Sequence, residues 1–274
     1  MDSSGPGSVA RLAAGLTAAA VLAQISYPLL SGDALRFATV VAVLLFAAAG
    51  LVHAAQCGGP RAALTVLLVA GGVGLTAEAI GVATGWPFGR YRYHDTLGPA
   101  LLGVPLLVPL AWTMMAYPAM LLGRRLAEGS TGAGRRVRTA LTGAVTLAGW
   151  DLFLDPQMVG AGHWTWSDPT PGLPGVPDVP LSNTAGWLLV GVLITALLDL
   201  TVPRRPPGPA GQGIPAVLLG WTWLGSAVGN LAFFDRPAVA CYGLIGMGVT
   251  VLPYLLSIRR RHPGPLRART RAAW

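Results

Sequence analysis

A succession of long apolar segments constrains this chain more than any other feature. A membrane-spanning helix needs about 20 apolar residues, and eight segments of the chain reach this length. They cover residues 9–30, 36–57, 61–84, 98–122, 138–160, 184–202, 213–233 and 237–258. Only 11% of the residues are charged, less than half of the roughly 25% found in soluble domains. We predict an all-α, polytopic transmembrane helix bundle of about eight spans, with seven as the alternative.

The arginines indicate how the spans are oriented. All 19 basic residues are arginine, and with both termini cytoplasmic only those at 36, 90, 92 and 236 fall on the outer side. Cytoplasmic loops of membrane proteins carry the excess of positive charge. The sequence therefore predicts a multi-pass protein of the cell membrane with both termini cytoplasmic. The net charge of +8 then reflects topology and does not indicate a nucleic-acid partner.

The predicted domain organisation is simple. Residues 1–8 are rich in Gly, Ser and Pro and are predicted to be disordered. Residues 9–258 form a single transmembrane domain. Residues 259–274 form a basic cytoplasmic tail, which should lie against anionic lipid headgroups.

Three carboxylates stand inside the apolar segments. Asp151 and Asp155 lie on the same helix face, one turn apart, and Glu78 lies in the segment 61–84. A carboxylate in the middle of a membrane helix costs roughly 2.5–3.5 kcal/mol, so two on one face indicate a function. Counted from the inner ends at 1.5 Å per residue, all three reach depths of about 20–26 Å. If the two helices are neighbours, the carboxylates form one site in the outer half of the membrane.

Two aromatic loops accompany these segments. The loop after Thr84 is either an interfacial aromatic belt or a shaped cap over a cavity, and the Pro-rich stretch 160–182 is predicted to be a lid. The segment 98–122 contains four prolines, which predict a bent helix beside the cavity. Asn183 begins the sixth helix, immediately before the segment 184–202, and N-capping is its simplest interpretation.

No cofactor or metal site is predicted. The chain has no phosphate-binding Gly loop, dinucleotide fingerprint or nucleophile elbow. Cys57 and Cys241 are isolated, and no Cys-x-x-Cys or His-x-x-x-His pair is present.

Carboxyl groups among aromatic rings suit one kind of chemistry. Desolvation favours the neutral form of a carboxyl group, and a second carboxylate nearby strengthens that preference. Such a group can donate a proton. Aromatic faces attract a cation by roughly 0.5–2 kcal/mol, so they can stabilise a carbocation. The pattern favours protonation of a carbon–carbon double bond in a lipid.

Several ordered motifs also resemble a known family. They are residues 85–93 (GWPFGRYRY), 97–99 (LGP), 103–106 (GVPL), 109–112 (PLAW), 150–159 (WDLFLDPQMV), 162–166 (GHWTW) and 183–187 (NTAGW). Together they resemble the integral-membrane carotenoid biosynthesis family of 1,2-hydratases.

The resemblance implies cofactor-independent addition of water across the terminal C1–C2 double bond of an acyclic carotenoid end, giving a tertiary alcohol. The implied partners are water, membrane lipid and a carotenoid such as lycopene, gamma-carotene or a bisanhydrobacterioruberin-like compound. Association with other carotenoid-pathway enzymes is compatible with it. The candidate substrate-binding residues within the motifs are Trp86, Phe88, Tyr91, Tyr93, Trp112, Trp150, Trp164, Trp166, Asn183 and Trp187.

The candidate catalytic residues are the three carboxylates. We expect Asp151 or Asp155 to be the acid and Glu78 to be the ionised partner. One alternative is that the Asp pair only caps a helix or binds Arg90 or Arg92. A carotenoid cyclase would begin with the same protonation, and a lipid-binding or transport protein could also bury carboxylates.

Overall fold

The computed structural model describes residues 6–204 and 209–259. The long helices are α1 (Pro6–Ser26), α2 (Gly32–Gly58), α3 (Pro60–Thr84), α4 (Leu107–Leu126), α5 (Gly132–Gly160), α6 (Leu181–Thr201), α7 (Gly213–Ala232) and α8 (Pro237–Arg259). Of the segment predicted to be disordered, residues 1–5 lie outside the described residues, while Pro6 to Ser8 belong to α1. The predicted basic tail lies outside them after Arg259.

The bundle is all-α and polytopic, as predicted. Among the described residues, every long helix except α4 and α5 is long and apolar enough to cross a membrane. These two are the central helices, since both pack against α6, α7 and α8 and against each other. Polar side chains in their middle, including Thr113, Asp151 and Asp155, are buried against protein, while the arginines at 135, 136 and 138 near the start of α5 are exposed. Both sets of polar residues lower the hydropathy of these two helices. The orientation of the termini stays a prediction.

Small residues let the central helices approach closely. A Cβ atom added at Gly149 of α5 would lie 2.5 Å from the backbone nitrogen of Met247 in α8. In membranes, where lipid is as apolar as the helices, such close backbone contact is a main source of helix association. On the other side of the core, α3 contains a π-helical turn, Leu67–Gly71, that packs against α4.

The predicted start of the fourth helix is wrong. The segment was expected to be helical from residue 98, but α4 begins at Leu107. Two short strands, β2 (Ala100–Leu101) and β3 (Val104–Pro105), pair before it, with Leu102 and Gly103 at positive φ in the turn between them. Pro105 has no N–H group for a helical hydrogen bond, so the helix begins after it. Within α4, Pro109 lies in the first turn and Pro118 lies in the interior of the helix.

The two aromatic loops meet over one end of the bundle. Strand β1 (Tyr91–Tyr93), from the connection between α3 and α4, pairs antiparallel with β4 (Trp164–Trp166), from the connection between α5 and α6. Tyr91 lies opposite Trp166, and Tyr93 lies opposite Trp164. This pairing joins the predicted cap and the predicted lid into one structure.

At the other end, one aspartate ties three segments together. Asp199 lies near the end of α6, and its side chain is only 1% exposed. It accepts a hydrogen bond from Arg124 Nε of α4 at 2.7 Å and forms a second ion pair with Arg204. Arg124 also donates to the carbonyl oxygen of Val202 at 2.7 Å. The network fixes the end of α6 against α4.

We expect Asp199→Asn to destabilise the bundle. Removing one partner of a buried ion pair costs about 3–5 kcal/mol because the remaining charges lose their compensation. The measurement is the thermal unfolding midpoint of the purified protein in detergent. Asp33→Asn is the matched control, since Asp33 pairs with Arg36 but its side chain is 97% exposed. Equal midpoints for the two variants would contradict a stabilising role of Asp199.

Candidate active site

Glu78 lies at the centre of a hydrogen-bonded cluster beneath the β1–β4 pair. The residue is only 5% exposed. Its Oε1 atom accepts a hydrogen bond from Trp112 Nε1 of α4 at 3.0 Å. Its Oε2 atom accepts bonds from the hydroxyl groups of Tyr91 and Tyr93, the latter at 2.8 Å. Three neutral donors from two other parts of the chain therefore converge on this carboxylate.

Two glycines of α3 make room for these donors. Gly74 lies one turn before Glu78, where an added Cβ would be 2.6 Å from the Trp112 ring. Gly81 lies almost one turn after it, where an added Cβ would be 2.6 Å from the Tyr91 hydroxyl oxygen. Because positions 74, 78 and 81 share a helix face, the spacing of Gly, Glu and Gly is what lets the large rings reach the carboxylate.

The two tyrosines remain hydrogen-bond donors. Burial raises the pKa of both Tyr91 and Tyr93, and the neighbouring charge of Glu78 is the next cause. A phenol with a raised pKa keeps its proton at neutral pH. Both hydroxyl groups can therefore donate to Glu78.

The aspartate pair is held by a residue from the next helix. Asn183 Nδ2, in the first turn of α6, donates to Asp151 Oδ2 at 2.8 Å and also to Asp155 Oδ2. All three residues are buried. The expectation that Asn183 caps the helix is wrong, since the N-cap residue is Pro180 and Asn183 bridges the two carboxyl groups instead.

The structure separates the two aspartates. Asp155 lines a cavity of about 190 Å³, and Glu78 lines the same cavity. Asp151 instead borders a separate void of about 10 Å³, next to Leu152 and Pro156. One oxygen of Asp151, Oδ1, has no hydrogen-bond partner among the described residues. Asp155 therefore faces the cavity and Asp151 lies behind it.

No arginine takes part in this cluster. Within residues 6–204 and 209–259, Arg90 and Arg92 form no ion pair with either aspartate, and the acids' polar partners are amide, phenol and indole groups. The alternative in which the Asp pair binds Arg90 or Arg92 is therefore not what the structure contains.

Aromatic rings form most of the cavity wall near the acids. Trp112 and Trp187 are stacked with their centroids 3.9 Å apart, and Trp150 meets Trp187 edge-on at 5.6 Å. Of the ten predicted substrate-binding residues, nine line the cavity: Phe88, Tyr91, Tyr93, Trp112, Trp150, Trp164, Trp166, Asn183 and Trp187. Trp86 is 61% exposed and is not part of the lining.

Other cavity residues were not recognised from the sequence. The wall continues beyond the acids to α1, α2 and α7, including Gln24, Thr39, Thr222 and Asn230. These helices carry few motifs, and nothing in their apolar pattern indicates which face meets the cavity. His163, in the lid, is buried but is not among the lining residues, and its Nδ1 atom bonds Thr96 Oγ1 at 2.8 Å.

Comparison with known proteins gives a family match and one relative. The family described as "Carotenoid biosynthesis protein" matches residues 38–255, which include all the acidic and aromatic residues above. A bisanhydrobacterioruberin hydratase of Haloarcula japonica is 38% identical over 128 residues. The aligned region covers 46% of this chain and 41% of that relative, so the chain matches about two fifths of its length. No solved structure matches.

We expect Gly81→Ala to destabilise the protein by about 1–3 kcal/mol, because the new methyl group overpacks the contact with Tyr91. Gly72→Ala is the matched control in the same helix, since an added Cβ there has no neighbour within 4 Å. The control should be neutral or slightly stabilising. Both are compared by thermal unfolding in detergent, and an equally stable Gly81→Ala protein would refute the close contact.

Proposed function

This chain belongs to the carotenoid biosynthesis protein family, and we propose that it is a hydratase that adds water across the terminal C1–C2 double bond of an acyclic carotenoid end. The observation that carries the proposal is that Glu78 and Asp155 line one aromatic-walled cavity inside an apolar bundle. The similar hydratase from Haloarcula japonica supports the reaction class.

Asp155 is the proposed acid. Asp151 and Asp155 share the Nδ2 donor of Asn183, and two carboxylates this close repel each other when both are ionised. One proton held by the pair relieves that repulsion. Since Asp155 faces the cavity, it delivers the proton to C2, while the π electrons of the double bond form the new C–H bond and C1 becomes a tertiary cation.

Glu78 is the proposed ionised partner. It accepts three hydrogen bonds, an arrangement suited to a charged carboxylate. Its charge stabilises the cation at C1, and the faces of Trp112, Trp150 and Trp187 add cation–π attraction. A water oxygen then bonds to C1, and Glu78 accepts the proton that this water loses. The proton returns to Asp155 before the next turnover, so the net reaction is alkene plus water to tertiary alcohol.

Asp151 is proposed to act as a positioning residue. It borders a different void from Asp155 but shares Asn183 with it. Its role is to hold the bridging amide and to share the proton of the pair. The substrate class is a carotenoid with an acyclic end, such as lycopene or gamma-carotene, taken from the membrane, and the reaction as written uses no cofactor.

We expect Asp155→Asn and Glu78→Gln each to lower hydration by a factor of about 10²–10⁴, the usual contribution of a general acid or base. The assay co-expresses the chain with a lycopene-producing pathway and measures carotenoids that have gained the mass of one water. Asp168→Asn is the control, since this carboxylate of the segment 160–182 is exposed and bonds Thr170. Full product from both variants at normal protein levels would overturn the mechanism, and a cyclic product of unchanged mass would identify a cyclase.

The geometry also ranks the two aspartates. Asp151→Asn should leave more product than Asp155→Asn, because its side chain does not line the cavity and an asparagine can still bond Asn183. The same pigment assay, normalised to protein level, measures the ratio. A greater loss from Asp151→Asn would assign the acid to Asp151.

A further inference from the structure

Helix α7 forms a wall of the cavity that the proposed reaction does not use. Its lining residues Thr222, Gly225, Ser226, Gly229 and Asn230 recur at helical spacing and share one face. Three of them have small or absent side chains, so this wall leaves space beside the helix. The polar residues Thr222 and Asn230 lie at the two ends of this wall.

The side-chain amide of Asn230 is hydrogen-bonded at its nitrogen but not at its oxygen, within the described residues. The residue is fully buried, and its Nδ2 atom donates to the carbonyl oxygen of Ser226 at 2.9 Å. Because a carbonyl can only accept, this bond fixes which end of the amide faces the helix. The other end, Oδ1, has no hydrogen-bond partner among the described residues.

Thr222, two turns earlier in α7, also has a buried side-chain oxygen without a hydrogen-bond partner among the described residues. It is 4% exposed, and its Oγ1 atom likewise has no partner within the described part of the chain. Eight residues correspond to about 12 Å along a helix, so the two oxygens would bind separate groups. Buried polar atoms without partners are rare in folded proteins, and each calls for an explanation such as a ligand or water.

Two neighbouring polar groups in this part of the cavity are already hydrogen-bonded. Gln24 Oε1 of α1 accepts from Trp221 Nε1 at 2.6 Å. Thr39 of α2 donates to the carbonyl oxygen of Leu35 at 2.9 Å. Asn230 Oδ1 and Thr222 Oγ1, by contrast, are buried and have no hydrogen-bond partner within the described residues.

We propose that α7 carries a hydroxyl-binding subsite, in which Asn230 Oδ1 accepts a hydrogen bond from an O–H group in the cavity and Thr222 Oγ1 provides a second such position. The O–H group belongs either to a hydroxylated isoprenoid end or to the water used in hydration. The inference rests on the proposed function, because it takes the occupant of the cavity to be an isoprenoid. It makes α7 a determinant of specificity for oxygenated carotenoid ends.

The test measures binding and turnover separately. Purified protein in detergent is titrated with lycopene and with 1-hydroxylycopene, and binding is followed by quenching of tryptophan fluorescence, since Trp221 lines the cavity. We expect the wild-type protein to bind 1-hydroxylycopene more tightly. Asn230→Leu, which keeps the branching of the side chain but cannot accept a hydrogen bond, should weaken binding of the alcohol about tenfold and remove the preference.

Two further variants make the result interpretable. Val228→Ala is the control, because Val228 lies in the same helix but is 57% exposed and does not line the cavity. Thr222→Val keeps the side-chain volume and tests the second oxygen if Asn230→Leu does not fold. Thermal unfolding of each variant shows whether the fold is intact.

Turnover of lycopene then identifies the source of the O–H group. If Asn230→Leu weakens binding of the alcohol but hydrates lycopene at the wild-type rate, the subsite binds an isoprenoid hydroxyl. If hydration of lycopene also falls, the subsite holds water. The subsite proposal is overturned if two results occur together. The wild-type protein would bind both carotenoids with equal affinity, and Asn230→Leu and Thr222→Val would both hydrate lycopene at the wild-type rate. A wild-type protein that binds lycopene but never hydrates it refutes the proposed function alone.

Discussion

A carboxylate inside an apolar helix bundle must find its hydrogen-bond donors within the protein, and the structure around Glu78 follows from that requirement. The donors come from α4 and from β1, so α3, α4 and the cap have to meet at one point. The glycines at 74 and 81 permit the meeting, because a Cβ at either position would clash with a donor residue. The β1–β4 pairing then holds the lid against the same cluster.

Buried acids at the two ends of the bundle are satisfied in different ways. Asp199 is matched by Arg124 and Arg204, so its charge is compensated and its role is structural. Glu78, Asp151 and Asp155 have only neutral partners among the described residues. A carboxyl group without a cationic partner can gain or lose a proton during a reaction more easily than one in an ion pair. The choice of partner thus separates a fold-stabilising acid from candidate reactive ones.

The cavity combines an acidic region with an α7 wall in which Thr222 Oγ1 and Asn230 Oδ1 have no hydrogen-bond partner among the described residues. Its aromatic lining suits a cation, while the small residues of α7 suit an extended isoprenoid chain. A pocket that only bound hydrocarbon would not need buried acceptors on α7. Their presence connects the chemistry proposed at Asp155 with recognition of an oxygenated group elsewhere in the same space.

The sequence by itself determined the class of fold and the local geometry of the acids. Hydropathy over about 20 residues depends on local composition alone, so the eight helical segments could be placed. The spacing of Asp151 and Asp155 already put both on one helix face. The tertiary structure decided the rest. Contacts between segments distant in sequence decided where α4 begins and gave Asn183 its bridging role. The same kind of contact placed Asp155, but not Asp151, at the cavity and made α7 one of its walls. Local patterns do not encode which faces of apolar helices meet, because in a membrane nearly every face is apolar.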